Sequence, residues 1–425
     1  MPDLLSVSTA LERLLAAFEP VENERVSLAA SHGRVLAEAI HATSDSPPFA
    51  NASMDGFALQ AGDTAAATPE TPIRLRVMAD IPAGYTSQVS LQPGQAARIM
   101  TGAPLPEGAD AVIPVEETDA ANRDAGLPPP PHIHVYRAVQ AGGYIRPRGQ
   151  DFRNGETLLM PGRRLRPQEV GLLASLGIAK VPVYRRPRVA ILSSGDELLP
   201  VDEPLRPGTI HESNSYMLAG QIQSCGAEAI PLGIVADRPE AIQAALDRAV
   251  ADGADAIISS AGVSVGAFDF VRQVVETHGR LDFWRVNMRP GKPLVCGAYC
   301  GLPFVGLPGN PVSTFIGFEV FVRPGLLKLA GLKYWQPVHF LAELAEPIES
   351  DGRESYLRAY VARKGDRWLA SLAGHQGSGN LRGLTQANAL LIIPSEVKSL
   401  PTGARIAARW LGDLANTEEG PIIHT

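Results

Sequence analysis

The chain has 425 residues, 45% hydrophobic and 20% charged, with a formal net charge of −7. That length exceeds what one core supports and predicts several packed domains; the acidic balance excludes a nucleic-acid binder that works through bulk positive charge. No run approaches the roughly 20 apolar residues of a membrane span, and the opening MPDLLSVSTALERLLAAFEP, with acids and no basic region ahead of an apolar core, does not read as a signal peptide.

Cytoplasm is therefore the expected location, and the sequon at Asn51 carries no meaning there. Cys225, Cys296 and Cys300 include no close C-x-x-C pair, so neither a disulfide framework nor a zinc signature is expected. In chain order, residues 8–18 read as a helix, with Leu11, Leu14, Leu15 and Phe18 at helical spacing behind a cap at Ser8 or Thr9. Residues 46–144 are rich in Pro and Gly, with short β-prone pieces such as IRLRVMAD, QAARIM and HIHVYRAV, and read as a β-rich insert domain. Residues 167–178 look helical again, with Pro167 at a first-turn position. Segments 1–45 and 145–180 are thus expected to form one discontinuous helical or mixed domain.

From 181 to 330 short apolar strands alternate with helices. RVAILSS, AEAIPLGIV, ADAIISS, LDFWRV and PFVGLPG read as strands, SYMLAGQIQSC, capped by Asn214, as one of the helices, and PVSTFIGFEVFVRPGLLKLAG as a long helical region. This alternation predicts a three-layer α/β domain with a mostly parallel sheet. Residues 331–415 turn β-like, in HFLAELAEPIE, ESYLRAYVAR, RWLASLAG and NALLIIP, and are expected to form a small barrel or sandwich; 416–425 is a tail. The fold class is α/β plus β, multidomain.

Ligands of parallel α/β sheets sit at the carboxyl ends of the strands. The loops expected there carry Asp196 and Glu197, then Asp237, then the segment SSAGVSVGAFDF, then Arg289 and Lys292 in NMRPGKP, then Pro308 and Pro311 in GLPGNPVS. Gly262, Ser264 and Gly266 would let backbone N–H groups approach an anion at a helix start. Asp196, Glu197 and Asp269 are hard oxygen donors suited to Mg²⁺, and Arg289 and Lys292 to a second anion. Gly262-Val-Ser264-Val-Gly266 also spells the nucleophile elbow of a serine hydrolase. His339 and His375 follow it, but in the β-rich carboxyl-terminal portion, and a triad leaves the acid at 269 and the basic turn unexplained. Each feature also has a plainer reading: Asp269 as a helix cap, Asp196 and Glu197 as loop acids, Arg289 and Lys292 as a solvated turn.

The segments NASMDGFAL, RIMTGAPLPEGADAVIPVEE, GGYIRPRGQDF, SSGDEL, SSAGVSVGAFDF, MRPGKP, GLPGNPVS and GHQGSGNLRGLTQANAL, in this order, resemble the molybdopterin molybdenumtransferases (MoeA type, including the gephyrin E domain). The resemblance implies an elongated four-domain protomer that forms a homodimer, with a molybdopterin-binding-like α/β domain and a carboxyl-terminal β barrel. It implies insertion of molybdate into adenylylated molybdopterin with release of AMP, dependent on a divalent metal. It further implies an upstream adenylyltransferase and acceptor molybdoenzymes as partners, and no nucleic acid or membrane. Matched position by position, the family's functional residues fall on Asp55, Thr101, Asp151, Glu197, Asp237, Asp269, Lys292, Pro308 and Pro311. Ala261, Phe270, Arg289 and Gln150 depart from residues common in the family. The rival readings are a molybdopterin adenylyltransferase, which the extra domains disfavour, a non-catalytic scaffold on the same fold, and the hydrolase.

Overall fold

The computed structural model describes residues 4–124, 126–260 and 270–412. They pack as two compact units: Met1–Glu38 with Pro161–Ala174 and Ile178–Thr425, and Ala39–Met160 with Ser175–Gly177.

In the first unit, α1 (Val7–Ala16) is capped by Ser6, whose Oγ accepts from Thr9 N at 3.1 Å. The cap thus falls two residues before the expected Ser8. Ala10, Leu14 and Phe18 follow at four-residue spacing and bury one face. Helix α2 (Pro167–Ser175) begins on a proline, as expected.

The α/β domain is built on β1 (Arg188–Ser194), α3 (Asn214–Ser224), β2 (Glu228–Val235), α4 (Pro239–Ala251), β3 (Ala256–Ser260), α5 (Phe270–His278), β4 (Gly279–Arg285), β5 (Pro293–Tyr299) and β6 (Leu302–Leu307). The sheet order is β2-β1-β3-β6-β5-β4. The first four strands are parallel and the last two joins antiparallel, so the sheet is mostly parallel as expected. Strand residues alternate between two cores. Val189 and Ile191 pack with Leu218 and Ile222 on one face, while Ala190 and Leu192 pack with Ile242, Leu246, Val271 and Val275 on the other.

Strand β5 was not legible in the sequence. It pairs with β6 through the two-residue turn Cys300–Gly301, both at positive φ (49° and 85°), the twist a tight hairpin needs. Asn214 is the first residue of α3 and does not cap it; the carboxylate of Glu212 accepts from Ser215 N instead, at 2.8 Å. The long helical region is α6 (Pro311–Gly317), a π turn over Phe318–Val322, and α7 (Arg323–Leu329).

Strands β7 (His339–Leu344), β8 (Glu354–Lys364), β9 (Arg367–Leu372), β10 (Ala389–Ile393) and β11 (Arg405–Trp410) close a barrel in the order β8-β9-β7-β11-β10-β8. Closure removes free sheet edges. Phe340 stacks on Trp410 at 4.2 Å between ring centroids, and Trp368 meets Trp410 edge-on at 5.2 Å. Glu319, in the π turn, joins barrel and helix. It accepts from Arg409 Nη2 (2.6 Å), from Arg323 Nε and Nη2 (both 2.8 Å) and from Gln221 Nε2 (3.0 Å).

The second unit holds a five-stranded sheet in the order Ala111–Pro114, Gly56–Leu59, Gln95–Ile99, Ile73–Ile81, His132–Val135. Phe57 and Leu59 fill one of its cores and Ala58 and Ala97 the other. A β-rich insert was expected over 46–144; the unit that contains this sheet runs over Ala39–Met160 with Ser175–Gly177.

Candidate active site at the carboxyl edge of the sheet

Parallel pairing aligns the strand ends. Ser194 stands opposite Val235, Ser193 opposite Ser260, and Ser260 opposite Leu307. The loops that follow these residues therefore leave one edge together. Strand β4 runs with the parallel set and β5 returns, so the connection 286–292 lies on that edge as well. The loops after β1, β2 and β6 and the connection 286–292 thus leave the same edge of the sheet. Neighbouring strands lie about 4.8 Å apart, and three steps separate β1 from β5. The acidic loops and the basic loop stand on the order of 14 Å apart along the edge.

At the acidic end, the backbone N–H of Asp237 donates to Asp196 Oδ1 at 3.3 Å. Burial pushes the Asp237 carboxyl above its ordinary range, and the charges of Asp196 and Glu197 push it the same way. Gly195 makes room for this crowding: a Cβ there would stand 2.6 Å from Glu197 Oε2. Ser193 Oγ lies 3.3 Å from Ser260 Oγ and donates to buried Glu212 at 3.2 Å. Gly262, Ser264, Gly266 and Asp269, along with Ala261, lie outside the described residues.

In the middle, the Pro308–Asn310 turn opens α6. Thr314 N donates to Asn310 O at 2.9 Å, and Thr314 Oγ1 donates to Pro308 O and Asn310 O. Asn214 Nδ2 donates to Gly309 O at 2.8 Å, while its Oδ1, though buried, meets no donor among the described residues. The Ser259 hydroxyl is likewise buried and unpartnered among the described residues.

At the basic end the barrel holds the loop. Met288–Arg289 pairs in parallel with Glu354–Ser355, Arg353 Nη1 donates to Met288 O at 3.1 Å, and Val286 N donates to Lys292 O at 3.0 Å. Arg289 reaches Asp351 only at 4.0 Å. Lys292 is exposed and pairs with no carboxylate among the described residues. A second barrel segment meets the middle of the edge, where Val312 N donates to Ser378 O at 3.0 Å. Behind it sits Arg358, 1% exposed. Its Nη1 and Nη2 donate to the carbonyls of Gly377 (3.1 Å) and His375 (2.8 Å); among the described residues its Nε has no acceptor and no carboxylate pairs with it. Sequence reading missed Arg358, Asn214 and Glu212; the crowding of Gly and polar residues around His375 was the available signal.

Asp55, Thr101 and Asp151 belong to the other unit. Asp55 Oδ1 accepts from Thr101 N (2.7 Å) and Thr101 Oγ1 (2.6 Å), and these bonds hold its carboxyl below the usual range. Asp151 accepts from Arg146 Nη2 at 3.0 Å and from Ser46 Oγ at 3.2 Å.

A hard divalent cation suits the donor chemistry of Asp196, Glu197 and Asp237, whose mutual repulsion it would relieve. Among the described residues, no three such side chains converge closely enough to hold one by themselves.

This architecture matches a MoeA-type chain along its length. Residues 5–177 match the MoeA N-terminal region (domain I and II), 190–328 a probable molybdopterin binding domain, and 342–408 the MoeA C-terminal region (domain IV). A molybdopterin molybdenumtransferase from Nostoc is 38% identical over 402 residues, covering 93% of this chain and 90% of the relative. Molybdopterin molybdenumtransferase 2 from Mycobacterium tuberculosis is 39% identical over 389 residues, covering 90% and 93%. The crystal structure of a molybdopterin biosynthesis MoeA protein from Pyrococcus horikoshii superposes with a TM-score of 0.81 at 32% identity, covering 96% of this chain and 100% of that one. The chain belongs to the molybdopterin molybdenumtransferase family.

Proposed function

We propose that this chain performs the metal-insertion step of molybdenum cofactor biosynthesis. It takes molybdate and adenylylated molybdopterin, delivers molybdenum to the dithiolene, and cleaves the phosphoanhydride with release of AMP. The observation that carries this reading is the charge gradient along one sheet edge, from Asp196, Glu197 and Asp237 to Arg289 and Lys292. Molybdate and the phosphoanhydride are both anionic and repel, so a site that holds both needs cationic partners for each.

Lys292 and Arg289 hold the oxyanion at the basic end. Glu197 and Asp269, with Asp196, would hold Mg²⁺. When bound, the ion neutralises charge on the phosphate oxygens and orients them. Asp237, more basic than an ordinary carboxylate, orients a water toward the phosphoanhydride. The Pro308–Pro311 turn, fixed by Asn214 and Thr314, shapes the middle of the edge. Gly262, Ser264 and Gly266 supply N–H and hydroxyl donors to the substrate. Asp55, Thr101 and Asp151 serve the same reaction by orienting substrate polar groups. A cytoplasmic homodimer, fed by an adenylyltransferase and delivering cofactor to molybdoenzymes, completes the reading. No described helix is long and apolar enough to cross a membrane.

The test is incubation of the full chain with adenylylated molybdopterin, molybdate and Mg²⁺ while AMP is followed. Release that requires both molybdate and the metal is expected. Turnover of ATP and molybdopterin to pyrophosphate, with no AMP release from the adenylylated substrate, would assign the adenylyltransferase reading instead.

A further inference from the structure

A cavity of about 200 Å³ opens at the other end of β1 and β2, lined by His32, Arg34, Arg164, Arg185, Arg186 and Cys225 among others. None of its lining residues is Asp or Glu, although the chain carries a net charge of −7. Two of the four arginines are neutralised from outside the lining: Arg34 pairs with Glu24, and Arg185 with Glu22 and Asp255. The other two are not. Arg164 is half-buried and donates from Nη2 to Cys225 O over a long 3.4 Å, and Arg186 is exposed; among the described residues neither pairs with a carboxylate. Gly226 turns the chain at the wall with φ 85°, a conformation that favours glycine, next to Arg164.

Half-burying Arg164 without a counter-charge is unfavourable, and its planar fork of N–H donors, with that of exposed Arg186 in the same lining, matches a tetrahedral oxyanion. We propose that this cavity binds a tetrahedral oxyanion dianion, either free or as the phosphate of a nucleotide. The site is separate from the proposed reaction edge. Pro187 and Ala227 enter β1 and β2 at their amino ends, and the seven residues of β1 place Ser194 roughly 20 Å away at 3.2–3.4 Å per residue. The inference does not depend on the proposed reaction.

Calorimetry on the full chain tests it, with inorganic phosphate, molybdate and AMP titrated separately. Lys292→Ala, which removes a cation of the proposed reaction edge, is expected to retain the phosphate site of this cavity. Arg186→Glu, a reversal at an exposed position, and the double variant Arg164→Ala/Arg186→Ala are each expected to weaken phosphate at least tenfold. The melting temperature of Arg186→Glu in anion-free buffer should match wild type. AMP that binds more tightly than phosphate and displaces it identifies the nucleotide form; equal affinity for phosphate, molybdate and AMP identifies the free oxyanion. Absence of phosphate binding by wild type, loss of it in Lys292→Ala, or unchanged affinity in Arg186→Glu would overturn the proposal.

Discussion

Asn214, on the first turn of α3, donates its Nδ2 to the carbonyl of Gly309 at 2.8 Å, across 95 positions of sequence. One side chain thereby fixes the turn between β6 and α6. Asn214→Ala leaves that carbonyl without its donor. A buried hydrogen bond contributes about 1 kcal/mol, so kcat/KM for AMP release should fall roughly fivefold with only a small loss of thermal stability. Unchanged kcat/KM would show that the turn holds its shape without the tether.

Thr101 gives Asp55 two hydrogen bonds, one from N and one from Oγ1. Thr101→Val removes the hydroxyl and keeps the backbone donor. The Asp55 carboxyl, now held below its usual range, should rise. The ionised form would then be lost at a higher pH, and the acid limb of the activity profile should move toward neutrality. A superimposable pH profile would separate Asp55 ionisation from turnover.

Glu169 is buried against Arg166 and Arg163, whose hydrogen bonds lower its carboxyl to about 2. A depressed folded-state pKa contributes stability that is present above the ordinary value of 4.5 and lost as pH falls through about 2. Urea unfolding of wild type should weaken across that acid window. In Glu169→Gln the same plot should flatten; an identical slope in both proteins would remove Glu169 from the acid response.

Glu319 has 6% of its side chain exposed and binds Arg409 and Arg323. Removing one partner of a buried pair strands the other charge and costs about 3–5 kcal/mol. Glu319→Ala should lower global stability by that order in denaturant titrations. Glu319→Gln, which keeps two acceptor lone pairs, should lose less. Equal losses in the two variants would point to packing instead of charge.

The α/β alternation and the loops at its strand ends were legible because buried strands read as short apolar runs between turn residues. Strand β5 was hidden for a local reason. It starts beside the Pro290–Pro293 turn and ends in Cys300–Gly301, a pair that does not announce a hairpin as Asn-Gly would. The cap of α1 slipped by two residues because Ser6, Ser8 and Thr9 share one chemistry, and only geometry selects Ser6. Arg358 escaped notice because a charged residue in a strand ordinarily faces water. Glu212, ahead of α3, and Glu319, in the π turn, escaped because carboxylates ordinarily face water in loops and helices too. Their partners come from distant segments, and no local pattern records such meetings.

The segment that carries Arg289 and Lys292 is gripped twice, by the sheet through Val286 and by the barrel through Met288–Arg289 and Arg353. Its cations therefore take their position from two scaffolds that fold around different cores. A relative that shed the barrel could retain an intact sheet and yet lose the anchor for its positive charge, so the carboxyl-terminal domain helps to position the basic end of the sheet edge.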